Sequence, residues 1–244
     1  MAVTSKNIEY PCGDRNHHGY VAWDDGISGE RPGIIVIHEW WGLNDYMKQR
    51  ADMLAELGYC ALAIDMYGDG LQASNPEEAG AAMNQVLENM ETGTARLQAA
   101  YATLTGLEQV DPARTAAQGY CFGGAMALHM ARIGMPLNAA VSFHGALGSF
   151  HKPTAGEVKA RILVCHGGDD AMVSMDDVAA FRDEMDAAQA DYEVIVHDGA
   201  AHGFTTVAAD ANGQKYGIPV GYDASPDAAS WEAMRSLYAS CFNG

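Results

Sequence analysis

The stretch Gly119-Tyr120-Cys121-Phe122-Gly123-Gly124 carries the most direct sign of chemistry in this chain. It reads G-x-S-x-G with cysteine in place of serine, the pattern of a nucleophile held on a sharp strand-to-helix turn. Small residues two positions either side let the strand and helix pack closely. Such a turn sets the sulfur at a helix N-terminus, where the dipole and the N–H groups favour a thiolate. The N–H of Phe122 would then point at an oxyanion forming on an attacked carbonyl. An inert buried cysteine in a Gly-rich turn has the same local sequence. The nucleophile reading therefore needs a base, and a group to orient that base.

Two other stretches supply both. The apolar run ILVCH (162–166) is followed by Gly167-Gly168-Asp169-Asp170. The run YEVIVH (192–197) is followed by a loop with His202 among small residues. Nucleophile, then acid, then histidine is the chain order of α/β hydrolases. Open α/β sheets place their sites at the carboxyl ends of the strands, so all three groups are expected at one edge of one sheet.

The elements that must position them follow from periodicity. Residues 33–39 (GIIVIHE) and 59–65 (YCALAID) read as buried strands. Between them Asn44 or Asp45 caps a helix whose apolar positions Met47, Ala51, Leu54 and Leu57 run to Gly58. Residues 76–107 are helical, with a break expected near Thr92-Gly93. Residues 114–119 are framed as a strand, and 121–133 read as helix. Further strands are expected at 137–143, 162–166 and 192–197, and helices at 175–189 and 225–242, the last with Pro226 in its first turn. Residues 7–12 and 18–23 suit an antiparallel edge pair. The stretches 66–75 and 206–225 read as irregular, of a length that often carries function or covers a site. Alternating strands and helices predict an α/β fold, a mostly parallel sheet with helices on both faces. No Pro/Ser-rich linker divides the chain, so one domain over 1–244 is expected.

Composition narrows the function. Of 244 residues, 48% are hydrophobic and 19% charged, which excludes a disordered chain. Lys and Arg number 14 against 32 Asp and Glu, a net charge of −18. A nucleic acid or an anionic membrane surface would repel such a chain. The five cysteines form no CxxC pair, which excludes a zinc knuckle and a thioredoxin motif. Their odd, scattered number suits reduced thiols, and the chain shows no signal-peptide pattern, so a cytoplasmic location is expected. His38-Glu39-Trp40-Trp41-Gly42 opens like HExxH but lacks the second histidine, which excludes a zinc protease. Gly68-Asp69-Gly70 is too poorly placed after its strand to be a dinucleotide loop. Neither a metal nor a cofactor is expected.

The chain resembles the dienelactone hydrolases from about residue 16 to residue 242, on the motifs HEWWGLN (38–44), GYCFGG (119–124), HGGDDAMV (166–173) and GAAHGF (199–204). The resemblance implies the α/β-hydrolase fold and a triad of Cys121, His202 and Asp170, with Asp170 rather than Asp169 as the orienting acid. It implies that Glu39 contacts the nucleophile and that the Trp40 N–H joins that of Phe122 in the oxyanion hole. A carboxylate beside a thiol disfavours the thiolate, and thiolates are the form that oxidises. Glu39 is therefore expected to restrain Cys121 until substrate arrives.

One departure stands out. The family holds its substrate carboxylate with two arginines. Here one of those positions is Thr206, and residues 66–95, where the other belongs, contain no Arg or Lys. Trp40, Trp41, Tyr67 and Phe204 suggest an aromatic pocket suited to an uncharged ester or lactone, a small-molecule substrate. The expected activity is hydrolysis through an acyl-enzyme on Cys121. The rival reading is a redox-responsive thiol sensor or interaction protein on the same fold. An acid-oriented histidine favours the hydrolase, because a sensor needs no such base. Oligomeric state is left open.

Overall fold

Every residue of strand β3 (Arg31–Ile37) is buried, as a strand covered on both faces must be. The computed structural model describes residues 3–13 and 15–242. These divide between Ala117 and Gln118 into two compact units.

In the first unit, β1 (Val3–Cys12) pairs antiparallel with β2 (Arg15–Asp24) along its whole length. The strand β2 then pairs antiparallel with β4 (Cys60–Ile64). The pair β3–β4 is parallel, in register from Gly33 opposite Cys60 to Ile37 opposite Ile64. With β5 (Val110–Tyr120) the order is β1-β2-β4-β3-β5. Helix α1 (Asp45–Glu56) starts where Asn44 accepts the N–H of Met47 at 3.3 Å. Its Met47, Ala51 and Leu54 are buried, as their spacing predicts.

The long helical region is two helices, α2 (Pro76–Leu87) and α3 (Met90–Thr105). The break falls at Glu88-Asn89, ahead of the expected Thr92-Gly93. Asn89 supplies the cap, its side chain accepting the N–H of Thr92 at 3.1 Å. Gly93 lies inside α3, where a Cβ would approach Val86 Cγ1 at 3.1 Å. That glycine marks close packing of α2 on α3, not a helix end.

Strand β5 continues past Ala117 into the second unit, where β6 (Ala139–Phe143), β7 (Arg161–Gly167) and β8 (Tyr192–His197) follow it in order. The pairs β6–β7 and β7–β8 are parallel. Helix α4 (Phe122–Arg132) is buried at all 11 positions. Helix α5 (Met175–Ala187) opens on a capping box between Ser174 and Asp177. Helix α7 (Ala224–Phe242) closes the described chain. The expectation of irregular chain over 206–225 is corrected, because α6 (Ala209–Tyr216) forms there. Its sequence ADANGQKY buries only Ala209, so it has no apolar stripe for periodicity to reveal. The stretch is also fastened: Gly221 donates to the His202 carbonyl at 3.0 Å, and Asp223 to that of Phe204 at 3.1 Å.

The sheet is mostly parallel, the α/β architecture expected from the sequence. No helix among the described residues is long and apolar enough to cross a membrane.

Candidate active site

Cys121 occupies the turn between β5 and α4 with φ 54° and ψ −116°. Such a positive φ is costly for a residue with a side chain, of order 1–3 kcal/mol. The surroundings hold it there. Its N–H donates to the Phe143 carbonyl at 3.0 Å, and its carbonyl accepts from Gly124 at 3.0 Å. Cysteine is thus the N-cap of α4, half-buried, with Phe122 as the first helical residue. The helix dipole there favours negative charge on the sulfur.

Asp170 follows β7 and is almost wholly buried, at 9% exposure. Its Oδ1 accepts the N–H groups of Met172 at 2.8 Å and Val173 at 3.0 Å. Its Oδ2 lies 2.8 Å from Nδ1 of His202. Burial pushes this carboxyl up, but the His202 bond and charge and the two backbone donors outweigh it, leaving the group below the ordinary aspartate value. Asp170 is therefore an anion, and it fixes the proton of His202 on Nδ1. Of the two adjacent acids, Asp170 is the one that meets the histidine.

His202 follows β8 and is 4% exposed. Burial pushes its imidazolium down. The charge of the Cys121 sulfur and bonds from Asp170 and Cys121 push it up further, to about 10. Among the described residues, Nε2 has no partner at closed hydrogen-bond distance. The charge interaction is accordingly the larger influence of Cys121. Catalytic hydrogen bonds are often open before substrate binds. The three side chains, in the turns after β5, β7 and β8, lie within the second unit.

The loops that carry them are closely fitted. A Cβ on Gly167 would stand 2.5 Å from the Ala200 carbonyl oxygen, and Asp169 donates its N–H to that oxygen at 2.9 Å. The loops after β7 and β8 therefore touch through backbone, which brings Asp170 to His202. Phe204 is fully buried, its ring 5.3 Å from those of both His144 and His197. Thr206 is 6% exposed and its carbonyl accepts from Ala209 at 2.8 Å.

Two further residues, His144 and Thr205, lie beside the histidine. The ring of His144, at the end of β6, stands edge-on to that of His202 with centroids 5.3 Å apart. Its Nε2 lies 2.8 Å from Oγ1 of Thr205. A histidine with a glycine after it, at the carboxyl end of a strand, was the available signal.

The first unit holds the remaining candidates. Glu39 lies two residues past β3 and is 6% exposed. The preceding His38 is wholly buried and accepts the Met66 N–H on Nε2 at 3.0 Å. Its Nδ1 therefore donates to the Glu39 carbonyl, and burial keeps the imidazole neutral. This pins the backbone at Glu39. Trp40 and Trp41 meet edge-on, centroids 5.1 Å apart. The Tyr67 hydroxyl donates to the Trp40 carbonyl at 2.9 Å. Tyr67 borders a cleft of about 660 Å³ that Arg15, Leu71, Gln72, Glu78 and Glu88 also line. No group of three His, Cys, Asp or Glu side chains suited to a metal occurs among the described residues.

A mostly parallel sheet with a cysteine on the sharp strand-to-helix turn after β5, and a buried carboxylate–histidine contact between the loops after β7 and β8, is an arrangement found in α/β hydrolases. The profile of the dienelactone hydrolase family matches residues 18–242, and the chain belongs to that family. It is 32% identical over 178 residues to protein usf of Aquifex pyrophilus, covering 71% of this chain and 76% of that one. It is 29% identical over 202 residues to an Aquifex aeolicus (strain VF5) protein named as a carboxymethylenebutenolidase, covering 81% of this chain and 85% of that one. Among solved structures, a dienelactone hydrolase-like promiscuous phosphotriesterase from metagenomic libraries is 38% identical with a TM-score of 0.91. That match covers 99% of this chain and 100% of the other.

Proposed function

We propose that this hydrolase cleaves an uncharged carboxylic ester or lactone through an acyl-enzyme on Cys121, acting as one α/β-hydrolase domain over 1–244. The observation that carries this reading is the 2.8 Å contact between Nδ1 of His202 and Oδ2 of Asp170. Cys121 loses its proton to Nε2 of His202 and its sulfur attacks the carbonyl carbon. The N–H of Phe122 stabilises the oxyanion, and the family resemblance assigns that of Trp40 the same role. His202 returns its proton to the departing alkoxide. Water then gives a proton to His202 and attacks the thioester, releasing the acid and the thiol. Asp170 stays ionised throughout.

Glu39 is assigned the restraint of Cys121 in the free enzyme, on the family resemblance. Glu39→Gln should then speed peroxide inactivation. Unchanged sensitivity and unchanged turnover would remove that role.

The preference for an uncharged substrate rests on the sequence: Thr206 stands at one of the family's arginine positions, and residues 66–95, where the other belongs, contain no Arg or Lys. Location in the cytoplasm and action on a small molecule without nucleic acid or membrane belong to the same proposal.

Steady-state hydrolysis of p-nitrophenyl acetate by the wild type and by Cys121→Ala tests the reading. Loss of turnover in the variant supports it. Undiminished turnover overturns it. No turnover in either, with reversible oxidation of Cys121 by low peroxide, would transfer the site to the thiol-sensor reading.

A further inference from the structure

Nδ1 of His202 bonds Asp170 at 2.8 Å, while Nε2 has only a looser interaction with Cys121. A single hydrogen bond fixes one point of an imidazole and leaves the ring free to rock about that bond. Nε2 must serve Sγ of Cys121, then the leaving oxygen, then water. Proton transfer is sensitive to such rocking, and a misplacement of about 1 Å can cost on the order of 100-fold in rate. A second contact, away from the Nδ1–Oδ2 axis, is needed.

The second unit contains one. His144 is wholly buried. Its ring stands edge-on to that of His202, centroids 5.3 Å apart at 67°. His144 is itself tied at both ends. Its Nε2 lies 2.8 Å from Oγ1 of Thr205, and its backbone N–H donates to the Cys165 carbonyl at 2.8 Å. Thr205 is buried and three residues beyond His202. The tie therefore returns to the loop that carries the triad histidine.

The backbone adds an independent sign. His144 has φ +40°, and only four non-glycine residues among those described have positive φ. Two of the four, Cys121 and His144, sit at neighbouring strand ends, because the Cys121 N–H bonds Phe143, the residue before His144. Gly145 is fitted against the same turn, since a Cβ there would reach Gly124 Cα at 2.9 Å. Strain of this kind persists where the surroundings over-determine it, and it gathers at active sites.

We propose that His144, held by Thr205, is a positioning residue that fixes the plane of the His202 ring and keeps Nε2 on line for proton transfer. The inference rests on the reading of Cys121, His202 and Asp170 as the triad. An imidazole suits this role because it packs edge-on and also bonds a hydroxyl. Phenylalanine would fill the volume without the tie.

The test compares His144→Phe, Thr205→Val and Thr205→Ser. Two readouts are taken: kcat and KM for p-nitrophenyl acetate, and the pH midpoint of Cys121 alkylation by iodoacetamide. The second readout needs no turnover. Asp170 and His166, the other titratable side chains that act on the His202 charge within this unit, stay intact in all three variants. His144→Phe and Thr205→Val should lower kcat by about 10- to 100-fold with KM nearly constant. Both should also raise the alkylation midpoint, because a displaced imidazolium stabilises the thiolate less. Thr205→Ser, which keeps the hydroxyl, should match the wild type in both.

A kcat within about twofold of wild type in both His144→Phe and Thr205→Val would overturn the proposal. So would equal losses in Thr205→Ser and Thr205→Val. If His144→Phe does not fold, the Thr205 pair decides alone. If the wild type shows no Cys121-dependent turnover, the hydrolase reading fails, and the alkylation midpoint still decides the role of His144.

Discussion

The Cβ that Gly119 lacks would stand 1.9 Å from the carbonyl oxygen of Gly123. That contact is backbone on backbone, so no side chain can move to relieve it. The turn that presents Cys121 exists only while residue 119 is glycine. Gly119→Ala should therefore cost more than about 3 kcal/mol, by displacing β5 from α4. Gly80 is the control: it lies in α2 with nothing within 4 Å of a built Cβ. Gly80→Ala should stabilise by about 0.5–1 kcal/mol, from helix propensity alone. Urea unfolding of the two variants measures both. A tolerated Gly119→Ala would mean that the elbow can relax.

The strand-to-helix turn at Cys121 and the contact between Asp170 and His202 were both readable, because each rests on local sequence. Glycines two residues either side of Cys121, and short polar loops after β7 and β8, are signals that no long-range packing alters. Asn44 as the cap of α1 was readable for the same reason. What escaped the sequence depends on contacts between distant segments. The α2–α3 break sits at Asn89 because its side chain caps Thr92, while Gly93 is reserved for close approach to Val86. Helix α6 has no apolar stripe and is held instead by backbone bonds such as that from Gly221 to His202. His144 escaped because its partners, His202 and Thr205, lie about sixty residues away.

The pairing of His202 with Cys121 and Asp170 sets a pH dependence. His202 is raised from 6.5 to about 10. Its contribution to stability is complete below pH 6.5 and is lost as pH rises through about 10. Asp170 is shifted down, so its contribution is present above the ordinary aspartate value and is lost as pH falls through its lower folded value. The ring C–H resonance of His202 should titrate near pH 10 in the wild type and markedly lower in Cys121→Ala. Titration at an unshifted value in both would contradict the sulfur–imidazole pairing.

The missing arginines predict substrate preference. Thr206 and residues 66–95 offer no cation where the resembled family holds its substrate carboxylate. A neutral ester should exceed the matching carboxylate-bearing ester by about tenfold or more in kcat/KM. A preference for the charged ester would contradict that reading.

Helix α4 is anchored at its far end by a buried ion pair. Arg132 is fully buried and donates to Glu184 through Nε at 3.0 Å and Nη2 at 2.8 Å, and to the Leu147 carbonyl at 2.7 Å. Glu184→Ala removes the charge partner and leaves a buried guanidinium. The expected loss is about 2–4 kcal/mol, and replacing both residues by apolar ones should lose less. Urea midpoints of the single and double variants decide whether the pair or the packing matters.

The acyl-enzyme itself is the most direct test. Wild type and Cys121→Ala are mixed with p-nitrophenyl acetate, quenched in acid within the first turnover, and analysed by intact mass and peptide mapping. The account predicts a gain of one acetyl group on the wild type, located on Cys121, together with a burst of p-nitrophenol. It predicts neither in Cys121→Ala. Turnover of the ester with no acylated Cys121 at any quench time, or an adduct on another residue that survives in Cys121→Ala, would contradict it.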